Sequence, residues 1–244
     1  LTSGETYIVV ANGLVNDVDY SPFVAFDFHV YPMAREMALE SGNTDILVFH
    51  GSTDAPIVDV YEAAVLEATF IDDMDYAEFR GYFELPTDNY VIEVRDETGT
   101  VTVASYDAPL AALELDGQAI TVLASGFLNP ANNNDGPEFG LYVALADGGE
   151  LIPLPLSTAR VQVIHNAADA AVEFVDVYVN GMLAIEEFAF RSATPYIDLP
   201  AGVEVEIALA PPATSYDDAI AFFNPTLTSG ETYIVVANGL VNDV

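Results

Sequence analysis

Residues 46–56 read ILVFHGSTDAP and residues 161–171 read VQVIHNAADAA. Each is a strand-like alternation that ends on a histidine and runs directly into an aspartate turn. The correspondence continues in order: VDVY at 58–61 matches VDVY at 175–178, FELP at 83–86 matches IDLP at 197–200, and VLASGFLN at 122–129 matches VVANGLVN at 235–242 and again at 9–16. The chain therefore carries two related modules, and their local pattern is that of strands. Val161, Val163 and His165 alternate with Gln162 and Ile164, and the runs YVIEV (90–94), ITVL (120–123) and YIVV (233–236) are β-branched or aromatic segments bounded by Gly, Asp and Asn. Turn signals recur every ten or so residues, at Asp54-Ala55-Pro56, Pro86-Thr87-Asp88, Thr98-Gly99, Asp116-Gly117, Asn180-Gly181 and Ala201-Gly202. Short strands at this spacing predict an all-β chain of β-sandwiches. Residues 61–68 and 108–115 hold enough Ala, Leu and Glu to predict a helical turn or two in crossing loops.

A second repeat is exact. Residues 1–18, LTSGETYIVVANGLVNDV, recur unchanged as residues 227–244, an offset of 226 residues. Chance does not produce an identity of that length and mixed composition, whereas recent duplication within one gene does. The chain reads as one period of a longer array, with two sandwich modules per period. Residues 1–43 are assigned to the C-terminal part of a second-type module from the preceding repeat, 44–156 to the first module, and 157–244 to a second module continued by the next repeat. One long polypeptide explains the identity, and the same identity would let separate subunits exchange residues 1–18 by donor-strand assembly. The joints, ESGNT at 40–44 and LPLST at 154–158, are short and are not Gly/Ser tethers.

Composition narrows the partners. Apolar residues make up 52% and mean hydropathy is +0.31, enough for substantial cores. Against 39 acidic residues stand five basic ones, all arginine, giving a net charge of −34. Such a chain cannot neutralise phosphate, which argues against nucleic acid and anionic membrane and invites cations. No cysteine is present, so disulfides and thiolate metal sites play no part.

The motif set, a strand ending in His, an Asp-Ala-Pro turn, Val-Asp-Val-Tyr and a later Leu-Pro turn, resembles the secreted bacterial domain of unknown function family 4397. His50, Asp54, Ala55, Pro56, Val58, Asp59, Val60, Tyr61, Leu85 and Pro86 carry it in the first module. His165, Asp169, Ala170, Val175, Asp176, Val177, Tyr178, Leu199, Pro200 and Gly202 carry it in the second. The second module departs at Ala171, where the family tends to have Pro, and the first at Thr87-Asp88-Asn89, where Gly is usual. The resemblance implies extracellular, immunoglobulin-like modules, often in large surface proteins, with no known catalytic activity.

The candidate sites follow from residue chemistry. His50 and His165 sit at equivalent strand ends and are expected to hydrogen-bond and fix the turn carboxylates of Asp54 and Asp169. Oxygen ligands gather in NPANNNDGPE (129–138) and in the equivalent NDVD (16–19), so Asn133, Asp135, Asp17 and Asp19 are candidate calcium ligands. The plainer reading of both loops is a polar turn in which Asn and Gly take positive φ. Asp72, Asp73 and Asp75 form a further acidic cluster, read as a solvated loop. Ser125 lies in Ala-Ser-Gly rather than a nucleophile elbow, and no phosphate-binding loop or His-Glu-x-x-His spacing occurs, so no enzyme is expected. With no tryptophan, glycan binding would fall to Tyr76, Tyr82, Tyr106 or Tyr216. The expected function is a structural segment of an extracellular filament, stalk or surface fibre that partners with further copies of itself. The alternative is a secreted adhesin whose repeats bind glycan or mineral.

Overall fold

The computed structural model describes residues 1–240, and residues 241–244 of the second copy of the repeat lie outside the described residues. The chain is all-β and divides into two compact units, Leu1–Pro155 and Leu156–Val244.

In the first unit, β1 (Tyr7–Asn12) and β2 (Asp27–Pro32) form an antiparallel hairpin of their own. Nine further strands build a sandwich: β3 (Asn43–His50), β4 (Val58–Glu62), β5 (Ala68–Met74), β6 (Phe79–Pro86), β7 (Asn89–Asp96), β8 (Thr102–Pro109), β9 (Ala119–Ser125), β10 (Gly140–Leu145) and β11 (Ile152–Pro153). One sheet has the order β11-β10-β9-β3-β6 and the other β5-β4-β7-β8. Residues of alternating faces meet between them: Tyr90, Val94 and Tyr106 from the second sheet pack against Ile120, Leu141 and Val143 from the first. Burial pushes the Tyr106 phenol up to about 12.

The second unit repeats the plan with β12 (Thr158–His165), β13 (Phe174–Val179), β14 (Met182–Ala189), β15 (Ser192–Ala193), β16 (Ile197–Pro200), β17 (Ile207–Ala210), β18 (Ala221–Phe223) and β19 (Thr232–Ala237). β12 pairs with β15, β16 and β19, and the facing sheet runs β14-β13-β17-β18. Ala159, Val161 and Val163 of β12 meet Val175 and Val177 of β13 in its core. The pairing of the histidine strand is the shared feature. β3 runs parallel to β9 with His50 opposite Ala124, and β12 runs parallel to β19 with His165 opposite Ala237, the same register in both modules.

The VDVY aspartate has a local task in each module. Asp59 Oδ1 accepts the Asp73 N–H at 2.8 Å and Asp176 Oδ1 accepts the Glu187 N–H at 2.8 Å. Asp73 and Glu187 stand at φ 52° and 50°, where each neighbouring strand bulges against the motif strand. The buried carboxylate thus clamps a bulge that L side chains resist. The hairpin turn Asn180-Gly181 has positive φ at both residues, 49° and 76°, the conformation that the sequence Asn-Gly favours.

Neither expected helical stretch is a helix. Residues 110–114 form a series of turns, and the Tyr61–Ala68 stretch is the end of β4 followed by a bend. The reason for the bend is Glu62. Its buried carboxylate accepts backbone N–H groups of Ala64, Val65 and Leu66 at 3.0, 2.8 and 2.6 Å and of Val91 at 3.1 Å, which wraps the chain around the side chain rather than into i→i−4 bonds. Burial opposes the charge, but these four donors outweigh it and hold the carboxyl below its ordinary value. A lowered carboxylate stabilises the fold above the ordinary glutamate range, and that contribution is lost as pH falls through the folded value. Glu62→Gln should therefore cost about 2 kcal/mol at neutral pH, with the deficit shrinking on acidification below the glutamate range. Urea unfolding of both proteins at neutral and acidic pH measures it, and an equal deficit at both would reject the assignment.

Candidate functional site

The two histidines are buried and equivalent, but their partners are not the turn carboxylates. His50 Nε2 lies 3.2 Å from the Pro56 carbonyl and His165 Nε2 lies 2.7 Å from the Val172 carbonyl, so each ring donates through Nε2 to the far end of its own loop. The Ala167 N–H donates to His165 Nδ1 at 3.4 Å, which makes that ring the neutral tautomer. Burial lowers the His50 pKa, keeping it neutral as well. The aspartates are occupied elsewhere. Asp169 accepts the Ala171 N–H at 2.9 Å and caps a 3-10 turn, Ala170–Val172. Asp54 accepts the N–H groups of Leu128 and Asn129, each at 2.8 Å, together with Ser52 Oγ at 3.2 Å and Asn133 Nδ2 at 3.0 Å. The motif is a brace in which histidine and aspartate tie different stretches of backbone.

The asparagine-rich loop is organised by the same aspartate. Asn133 is fully buried, its amide nitrogen donates to Asp54 and to the Asn129 carbonyl, and its Oδ1 accepts the Ser21 N–H at 3.0 Å. The oxygen that would ligate calcium at this residue thus already holds the backbone of segment 1–43. Asn134 and Asp135 take φ 56° and 48°, as the polar-turn reading requires, and Asp135, Asp17 and Asp19 are exposed. The structure does not bring those three carboxylates into one cluster. Among the described residues the group of three acidic side chains with ligand atoms within 4.8 Å of one another is Asp59, Asp72 and Asp73, and Asp59 in it already clamps the bulge.

What the Asn loop and its neighbours hold is the segment 1–43. Besides Ser21 on Asn133, Asn12 Nδ2 donates to the Gly51 carbonyl at 3.0 Å and to the Tyr76 hydroxyl at 3.1 Å. His29 and Tyr31 of β2 pack their rings on Phe49 and Phe79, with centroids 5.5 and 5.3 Å apart. Arg35 closes the contact: Nη1 reaches Asp45 at 2.6 Å and Glu84 at 2.8 Å, its backbone N–H donates to the Tyr82 hydroxyl, and its guanidinium lies over the Tyr82 ring. Asp45 is completely buried, so this pair is what allows a charge beneath the hairpin. Composition and periodicity could not have found this site, since Arg35 belongs to no motif and its partners lie 10 and 49 residues away.

The second unit differs from the first sandwich in its closure. The first sandwich encloses an apolar void of about 80 Å³. In the second, an open groove of about 850 Å³ runs along β19 and is lined by Val163, Ile207, Phe222, Phe223, Leu227 and Val235 among others. Phe222, Phe223, Ile234 and Val236 are exposed. Of the tyrosines considered for sugar binding, Tyr106 is in the core, Tyr76 and Tyr82 accept bonds from segment 1–43, and Tyr216 donates to Glu206 at 2.5 Å.

The same buried histidine and turn-capping aspartate on two successive β-sandwiches define a tandem module protein. The chain belongs to the family described as Domain of unknown function (DUF4397), whose profile matches residues 44–172 and 159–244. No curated protein matches it. Among solved structures, the Bacillus anthracis TIE protein is 9% identical with a TM-score of 0.26 over 96% of this chain. The chain spans 41% of that protein's length, and the likeness is too loose to carry an argument.

Two outcomes test this reading of the site. Arg35→Met leaves Asp45 buried and uncompensated, so it should cost about 3 kcal/mol and expose residues 1–43 to limited proteolysis. A variant with wild-type stability and proteolytic pattern would reject the pairing. Asn133→Ala should lower stability by about 1–2 kcal/mol, measured by thermal unfolding, and by the same amount with calcium or with a chelator. A loss confined to calcium-containing buffer would instead assign the loop to the metal.

Proposed function

We propose that the chain is a non-catalytic structural segment of an extracellular filament, stalk or surface fibre, built by serial stacking of acidic β-sandwiches. The observation that carries this reading is the unchanged recurrence of residues 1–18 at 227–244, because near-identical modules in series build length and gain nothing for a catalytic site. Supporting it, the segment 1–43 is held on the first sandwich by a buried ion pair, ring contacts and backbone bonds, a joint far stiffer than a tether. The dense negative charge suits a surface that stays solvated in salt or gathers cations. The rival reading, a glycan-binding adhesin, has less support, since the four candidate tyrosines are engaged within the fold.

A sandwich of about 113 residues is roughly 35–40 Å across, so a two-module period should advance on the order of 70–80 Å. Electron microscopy of native, undigested material should therefore reveal filaments with that axial repeat. Isolated particles would overturn the filament reading in favour of a soluble binding module.

A further inference from the structure

The two copies of the eighteen-residue segment have the same sequence and the same strand, yet opposite surroundings. In β19, Val235 and Ala237 turn toward the core while Ile234, Val236 and Asn238 are exposed. In β1 the pattern is inverted: Ile8, Val10 and Asn12 are half-buried on the first unit, while Val9 and Ala11 are exposed. Leu227 is inserted in the core at 4% exposure and the identical Leu1 stands at 95%. Each copy satisfies the face that the other leaves in water.

The edges are complementary too. β9 has two neighbours, β3 and β10, whereas among the described residues β19 pairs with β12 alone and β1 with β2 alone. The pairing registers place Phe28 and Val30 of β2 at the positions that Leu141 and Val143 hold on β10. Leu141 and Val143 are core residues at 6% and 0% exposure, but Phe28 and Val30 are 61% and 46% exposed. The glycine that ends each strand agrees. A Cβ on Gly126 would lie 2.1 Å from the Glu138 carbonyl oxygen and one on Gly13 2.5 Å from that of Ala25, each just ahead of the return strand of its hairpin. Gly239 keeps a φ of +115°, but a Cβ there would meet no heavy atom of the described residues within 4 Å.

We propose that the β1–β2 hairpin of a second copy of this chain completes the second sandwich, with β1 of that copy taking the place of β19 beside β12. The parallel register carries over: Arg160 faces Thr6 of the second copy, Val161 faces Tyr7, Gln162 faces Ile8 and Val163 faces Val9. β2 of the second copy then forms the next strand and lays Phe28 and Val30 into the groove along Phe222 and Phe223. The composite strand buries both faces at once, one in the second sandwich of the first copy and the other on the first sandwich of its partner. The contact is heterologous and propagates head to tail. This joint rests on the filament reading, for which it supplies the link.

The absence of native cysteine makes the register testable by disulfide trapping. Gln162→Cys and Ile8→Cys single variants of the full 244-residue chain are mixed in denaturant, refolded together and oxidised. The expected product is a covalent heterodimer, and the double variant should give a ladder of oligomers. Arg160→Cys mixed with Ile8→Cys, two residues out of register, should yield about tenfold less. Gln162→Cys with Ile234→Cys, refolded alone at high dilution where no second copy competes, should close within one chain and certifies that the strand folds. Monomers alone from the in-register mixture, with that control closed, would overturn the proposal, as would equal yields in and out of register. Native filaments combined with such a failure would remove this joint and leave the filament reading standing. Heterodimers without native filaments would uphold the joint and remove the filament reading.

Discussion

A β-strand has two faces and two edges, and a sequence that is apolar on both faces must be covered on both. Tyr-Ile-Val-Val-Ala, at 7–11 and again at 233–237, is such a sequence. At 233–237 it runs parallel beside the histidine strand of the second unit, and Tyr233 and Val235 pack against that unit's core. The exposed Ile234 and Val236 on one copy and Val9 on the other are the unmet half of that requirement. Alternation with period two fixes which residues are left over, and a shift by one would expose the other set.

The acidity is managed by a division between few buried carboxylates and many surface ones. Asp45, Asp59, Glu62, Glu93 and Asp176 are buried, and each is bonded to arginine or to backbone N–H groups. The five arginines are all engaged: Arg35, Arg80, Arg95 and Arg160 with carboxylates, and Arg191 over the Phe190 ring. Arg95 also lies 3.5 Å from the centroid of Tyr61. The remaining carboxylates repel one another, and only dissolved salt or bound cations relieve that repulsion. Local pairing and long-range repulsion therefore act on different residues, which lets a chain of charge −34 keep an ordinary core.

Strands and turns were legible because each is set within a few residues. Asn180-Gly181 needs only its own φ preferences, and the alternation in 161–165 marks the inner face of β12 correctly. Pairing was not, since nothing in 46–50 announces that its neighbour 120–124 runs parallel. The helical expectation for 61–68 failed because composition does not register that one buried carboxylate, Glu62, collects four N–H donors. The histidines were read as a brace, but the partner was misplaced: a donor ring and a backbone carbonyl match, while the aspartate is better used as an acceptor for N–H groups of its own loop and the adjoining one. Arg35 escaped notice altogether, for its importance comes from burial of Asp45.

The two modules also differ on the outer face of the histidine strand. On β3 the outward-facing residues are Asp45, Leu47 and Phe49, all buried, with segment 1–43 bonded to Asp45 and ring-stacked on Phe49. Their equivalents on β12 are Arg160, Gln162 and Ile164. Arg160 is largely exposed beside Asp198, Gln162 bonds the Thr194 carbonyl, and none is fully buried. Leu47 and Phe49 around an arginine-paired Asp45 take the hairpin, whereas a face of arginine and glutamine keeps water. The outer face of the first sandwich is therefore covered by the hairpin of its own unit, and the corresponding face of the second stays polar.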